Sequence, residues 1–120
     1  MLYSDEEYRL FSSELEGASI GTVWSAMIPE NFNRENLTYE EKKLLFFEIV
    51  LRLMQDNKIK LGKCGEFLNG SAEELIAQYK SAFPKTEDEW KAKHEDVWFY
   101  EDDCPGGIVW LHENGDEDWT

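Results

Sequence analysis

The chain has 120 residues, room for a single domain spanning 1–120. Hydrophobic types make up 42%, with five Trp, five Tyr and seven Phe, enough to build a core and to exclude wholesale disorder. Twenty-six acids against 12 Lys plus Arg give a formal charge of −14, which argues against nucleic acid and anionic membrane as partners because both repel such a surface.

Helix starts are well marked in chain order. Ser4, Thr38, Ser71 and Thr86 each stand three residues before a Glu, the spacing of the capping box. The first predicted helix covers 5–16 and ends at Gly17. Ser19 caps a second, whose Ile20, Val23, Trp24, Met27 and Ile28 fall at helical spacing before Pro29 stops it. Pro and three Asn make 29–36 a loop.

The third helix, 39–56, is apolar on most of its circumference, as expected of a buried or chain-pairing helix. Lys58-Ile59-Lys60-Leu61 alternates like a strand, and Glu66-Phe67-Leu68 returns antiparallel through a turn containing Gly62 and Gly65. A fourth helix over 72–83 and a shorter one over 87–94 follow. Val97-Trp98-Phe99-Tyr100 reads as another strand.

The end of the chain predicts a hairpin. Asn114-Gly115 suits a two-residue type I′ turn, which sets Leu111 opposite Asp118, His112 opposite Glu117 and Trp110 opposite Trp119. The last pair would be a cross-strand contact worth up to about 1 kcal/mol. The expected fold is α+β: a mainly helical N-terminal part packed on a small antiparallel sheet that ends in this hairpin.

Residues 1–16 carry Asp5, Glu6, Glu7, Glu14 and Glu16 rather than the basic start of a secretory signal, so the chain reads as cytoplasmic. The apolar run 44–54 is broken by Glu48 and Arg52, short of the roughly 20 residues that cross a bilayer. Cys64 and Cys104 have no metal or redox spacing and read as free thiols.

Catalytic constellations are weak. A Cys–His pair would need Cys64 or Cys104 with His94 or His112, none of them in a catalytic motif. Asp102, Asp103, Cys104 and His112 match neither zinc nor calcium spacing. No enzyme activity, cofactor or metal is expected.

The acids are concentrated late in the sequence. Residues 61–120 hold 15 acids and five bases, and beyond Lys93 there are nine acids and no Lys or Arg. Trp98, Tyr100, Trp110 and Trp119 lie among them. Aromatics supply contact area and carboxylates steer a basic protein, so this stretch is the expected partner-binding surface.

Lys58-Ile-Lys-Leu, Gly65-Glu-Phe-Leu-Asn-Gly-Ser, Ala82-Phe-Pro and the ending from Cys104-Pro-Gly-Gly through Trp119-Thr120 together resemble a bacterial family of short acidic proteins of unknown function. Members of that family are found among the immunity proteins of contact-dependent growth-inhibition systems. The resemblance implies binding and neutralisation of a cognate toxin domain, and it transfers no catalytic residue.

Many such toxins are nucleases with basic surfaces, to which an acidic inhibitor is complementary. Glu101, Asp102, Asp103, Asp116, Glu117 and Asp118 are the candidates for the charge, and Trp98, Tyr100 and Trp119 for the aromatic anchors. A cytosolic adaptor, a self-associating protein built on the apolar third helix, and a small Cys- or metal-dependent enzyme are the alternatives.

Overall fold

The computed structural model describes residues 3–120 and shows the expected α+β architecture. Helices α1 (Asp5–Glu14), α2 (Ile20–Ser25) and α3 (Tyr39–Gln55) come first, with a 3₁₀ turn at Pro29–Phe32 between the last two. Strands β1 (Ile59–Lys63) and β2 (Glu66–Phe67) form a hairpin, followed by α4 (Ala72–Ala82) and α5 (Glu87–Ala92). A 3₁₀ helix at Glu95–Tyr100 leads to β3 (Gly107–Leu111) and β4 (Glu117–Trp119).

Three of the four predicted capping boxes close. Ser4, Thr38 and Ser71 each accept from the backbone N–H three residues on, and Glu7, Glu41 and Glu74 reach back to complete the box. Thr86 accepts from the Glu89 N–H, but the Glu89 carboxylate takes the Lys85 N–H at 2.9 Å, one residue upstream of the cap. The first half of the expected loop 29–36 is more ordered than a loop: Pro29 opens a 3₁₀ turn whose Asn31 side chain donates to the Ala26 carbonyl at 2.8 Å.

The sheet has order β2-β1-β3-β4 and is antiparallel throughout. Strand alternation divides its residues between two faces. Ile59, Leu61, Ile108 and Trp110 face the helices and belong to one continuous core with α1 to α5. The apolar girth of α3 is spent on that core: Leu45, Phe46, Phe47, Ile49, Val50, Leu53 and Met54 are buried, and Leu44 is left exposed. An aromatic cluster of Trp24, Phe46, Phe83, Trp90, Trp98 and Phe99 ties the helices together, with Phe83 stacked on Trp90 at 5.3 Å. Such ring contacts add about 0.5–1.5 kcal/mol each beyond the area they bury.

Two expectations are corrected. Residues 97–100 are not a strand but the end of the 3₁₀ helix at Glu95–Tyr100. A strand would bury alternate residues, whereas here the neighbours Trp98 and Phe99 both enter the aromatic cluster while Val97 and Tyr100 face water. The chain enters this turn through positive φ at His94 and Glu95, which sets the direction of both rings.

The second correction is the hairpin register. The observed pairs are Val109 with Trp119, Trp110 with Asp118 and Leu111 with Glu117. His112 donates its N–H to the Asp116 carbonyl at 2.9 Å, and the Gly115 N–H donates to the His112 carbonyl at 3.0 Å. Glu113, Asn114 and Gly115 therefore form a three-residue loop with Gly115 at φ +91, the turn-plus-bulge form of a hairpin.

This one-residue shift sends Trp119 to the opposite face from Trp110. The physical reason lies in the space on each side. On the outer face Gly62 leaves a hollow that the Trp119 ring fills so closely that a Cβ at Gly62 would come within 2.6 Å of it. On the inner face Trp110 hydrogen-bonds the Ala18 carbonyl at 2.8 Å, and Asp118 lies beside Gly17.

Candidate protein-docking surface

The three acids of the hairpin do not share a face. Asp118 lies on the helix side of the sheet with its side chain half-exposed, 3.3 Å from where a Cβ on Gly17 would stand and 4.0 Å from His112 Nε2. His112 Nδ1 lies 3.0 Å from Glu16 Oε1, so the imidazole links the turn after α1 to β4. The expected partner of His112, Glu117, faces outward instead. Asp116 sits in the turn, its N–H bonded to the Asn114 side chain at 3.0 Å, and Glu117 is on the outer face.

Trp119 lies beside Glu117 on that outer face and donates its indole N–H to Glu117 Oε1 at 3.2 Å. Its ring packs on Phe67 at 5.0 Å, with Gly62 between them in the ladder. Lys60 Nζ stands 4.8 Å from the Phe67 ring centroid, a cation–π contact. Trp119 remains 41% exposed, so the pair presents an open aromatic surface. Among the described residues no ion pair reaches Asp116 or Glu117.

Glu101, Asp102 and Asp103 lie at the other end of the hairpin, separated by the length of β3, about 14 Å at strand spacing. Their charge is partly offset by bases from upstream. Lys93 Nζ is 3.8 Å from the Asp103 carboxylate, and Lys63 donates to the Asp102 and Cys104 carbonyls at 3.1 and 2.8 Å. Tyr100 and Glu101 border the Thr120 end of β4 around a hollow of about 230 Å³. Tyr100 is 85% exposed.

Trp98 is 1% exposed, wedged against Phe83 at 4.9 Å, and is a core residue rather than an anchor. The hairpin end also gathers carboxylates that its local sequence does not contain. Glu16 and Asp56 line a groove of about 810 Å³ together with His112 and Glu113. Phe67, Lys60 and Gly62 were likewise absent from the sequence reading of this surface. The alternation in 58–68 carried the signal, because it puts Lys60 and Gly62 on the face opposite Ile59 and Leu61.

The segment that opens with Cys104-Pro-Gly-Gly is a structural lock. Cys104 is buried, and its thiol lies 3.0 Å from the Tyr79 hydroxyl, which donates to the Gly106 carbonyl. Burial pushes the Cys104 thiol above its ordinary range despite these contacts, and it pushes the Tyr79 phenol up as well. A Cβ at Gly106 would come within 2.7 Å of the Gly62 carbonyl oxygen, so glycine is needed for β3 to start against β1. Cys64 is exposed at the β1–β2 turn, and both thiols are free. Cys104 and His112 fall at opposite ends of β3, so the mixed Asp102, Asp103, Cys104 and His112 cluster does not assemble. Among the described residues no group of three or more His, Cys, Asp and Glu is placed to hold a metal ion. Nor is any described helix long and apolar enough to cross a membrane.

Fold and surface together define a small α+β protein with an exposed indole and an adjacent carboxylate, Trp119 and Glu117, on the outer face of its sheet. The chain belongs to the family described as "Protein of unknown function, DUF596", whose model matches residues 54–120. That span runs from the end of α3 through the whole sheet. Among solved structures the chain is similar to an uncharacterised protein conserved in bacteria, from Neisseria meningitidis. The similarity covers 96% of this chain and 84% of that one, with TM-score 0.75 and 22% identity, and it shows a shared fold. No curated protein matches the chain.

Proposed function

We propose that this protein is a cytoplasmic immunity protein, a stoichiometric and non-enzymatic inhibitor that binds and neutralises a cognate toxin domain, a basic nuclease by its charge. The observation that carries the reading is the Trp119–Phe67 pair, exposed on the outer sheet face and bordered by Glu117 and Asp116. Trp is enriched among binding hot spots, which cost about 2 kcal/mol or more when truncated. Carboxylates beside such an anchor accelerate encounter with a cationic surface and reject anionic ones. The net charge of −14 acts in the same direction at longer range. The residues proposed to engage the toxin are Trp119, Glu117, Asp116, Tyr100 and Glu101, with Asp102 and Asp103 adding to the field.

The experiment is affinity capture by the tagged chain from its native bacterium, followed by expression of the captured protein alone and together with this chain. A single basic protein that arrests growth alone and is silenced by co-expression supports the proposal. Capture of a harmless protein, or of nothing beyond the chain itself, removes it.

A further inference from the structure

The hydrogen-bond phase of the hairpin fixes which backbone groups of β4 are free. His112 pairs with Asp116, and Thr120 donates its N–H to the Ile108 carbonyl at 3.2 Å, so the bonded positions of this ladder are 116, 118 and 120. Glu117 and Trp119 alternate with them and turn their N–H and C=O groups away from β3. Because β4 ends the sheet, these groups form an open edge, and among the described residues no hydrogen bond reaches them.

The opposite edge is different. β2 is only two residues long and turns off through Gly70 into α4. Short strands and charges are how proteins keep edges from pairing at random. β4, itself three residues long, adds the second device, with Asp116, Glu117 and Asp118 in succession. An edge guarded by one sign of charge remains open to a strand of the other sign.

We infer that the β4 edge, with the Trp119–Phe67 face beside it, accepts an extended cationic segment of a partner protein as a fifth strand. Charge complementarity selects this occupant. A second copy is disfavoured, since antiparallel self-pairing centred on Asp118 or on Glu117 sets carboxylates directly opposite one another. Each copy also carries −14. In the added strand, the residue facing Glu117 lies on the outer sheet face and suits Lys or Arg. The residue facing Trp119 lies on the same face, where an apolar or cationic side chain extends the aromatic row formed by Trp119 and Phe67. Main-chain bonds then provide affinity and these alternate side chains provide selectivity.

The inference rests on the reading of the chain as a protein-binding inhibitor, but its test needs no toxin. The probe is a capped eight-residue peptide alternating Lys and Val, compared with its Glu–Val counterpart, each titrated into the full chain. Amide hydrogen exchange is followed residue by residue. The lysine peptide is expected to slow exchange at the Glu117 and Trp119 amides at least tenfold, and the glutamate peptide to leave both unchanged. Glu117→Pro removes an outward N–H without touching the β3–β4 ladder, so it should abolish protection at Trp119 while the helices and core stay protected. Should that variant not fold, Asp116→Lys with Glu117→Lys should reverse the preference between the two peptides.

A lysine peptide that binds while both amides exchange at the free rate is held by net charge alone, and that result overturns the inference. Protection of the same amides that grows with protein concentration and without peptide means self-pairing, and overturns it too. Either result leaves the toxin-inhibitor reading to be decided by the capture experiment.

Discussion

Tyr79→Phe tests whether the segment beginning at Cys104 is a lock for the sheet. The wild-type hydroxyl is buried, donates to the Gly106 carbonyl and lies 3.0 Å from the Cys104 sulfur. Removing one oxygen leaves a buried carbonyl without its donor, a loss of about 1–3 kcal/mol. Partial relief is available, because the Cys104 sulfur already lies 3.6 Å from the same carbonyl and its proton can turn toward it. A sulfhydryl is a weak donor, so the net loss should be about 1.5 kcal/mol.

For a chain of this size the same loss lowers Tm by about 6 °C. Urea unfolding should show the midpoint falling with the slope unchanged, since the fold and its buried area are retained. Cys104→Ala in combination with Tyr79→Phe should be non-additive by about 0.5 kcal/mol or more, because the two groups share one acceptor. A Tyr79→Phe protein that unfolds at the wild-type midpoint would refute the lock.

Other outcomes follow from the same contacts. Cys104 and the buried tyrosines have raised pKa values in the fold, chiefly through burial. Their contribution to stability is complete below the unfolded thiol and phenol values, and it is lost as pH rises above about 8.5, because the unfolded chain then gives up protons that the fold retains. Melting temperatures should therefore fall from pH 8.5 to 11, and a flat profile would contradict the burial. A thiol reagent should modify Cys64 quickly and Cys104 only on unfolding. Two fast thiols would place Cys104 at the surface. Trp98→Ala should cost about 3–5 kcal/mol as a core truncation, whereas Tyr100→Ala should stay within about 0.5 kcal/mol. Equal stability losses in urea would contradict their assignment to core and surface.

Much of this fold could be read from local chemistry. Ser4, Thr38, Ser71 and Thr86 mark four helix starts, since a cap and its glutamate act within one turn and need no tertiary context. The β1–β2 return and the burial of α3 follow from alternation and from apolar girth in the same way. The hairpin register was not legible, because Asn114-Gly115 serves a two-residue turn and a three-residue loop equally well. What decides between them is long-range: Gly62 opens space for the Trp119 ring, and Ala18 holds Trp110 on the other side. Val97 to Tyr100 has strand composition, yet Phe83 and Trp90 draw both Trp98 and Phe99 into a helical turn.

The candidate surface was half visible for a related reason. Composition located the acids, but their grouping depends on which strand position each occupies. That is why Asp118 lies on the helix side near His112 while Glu117 joins Trp119 outside. Lys93 reaches the Asp103 carboxylate and Lys63 the Asp102 and Cys104 carbonyls from elements that precede this loop, so charge runs in sequence overstated the local field there. Phe67 and Lys60 entered the surface only through the sheet order.

The measurement that bears most directly on the docking surface is the affinity of the captured partner for wild type, Trp119→Ala and Glu117→Gln at low and high salt. Trp119→Ala should weaken binding about 30-fold or more at both ionic strengths, as loss of a buried anchor does. Glu117→Gln should weaken it chiefly at low salt, where exposed charge is least screened. A partner held with wild-type affinity by both variants would contradict the assignment of this face.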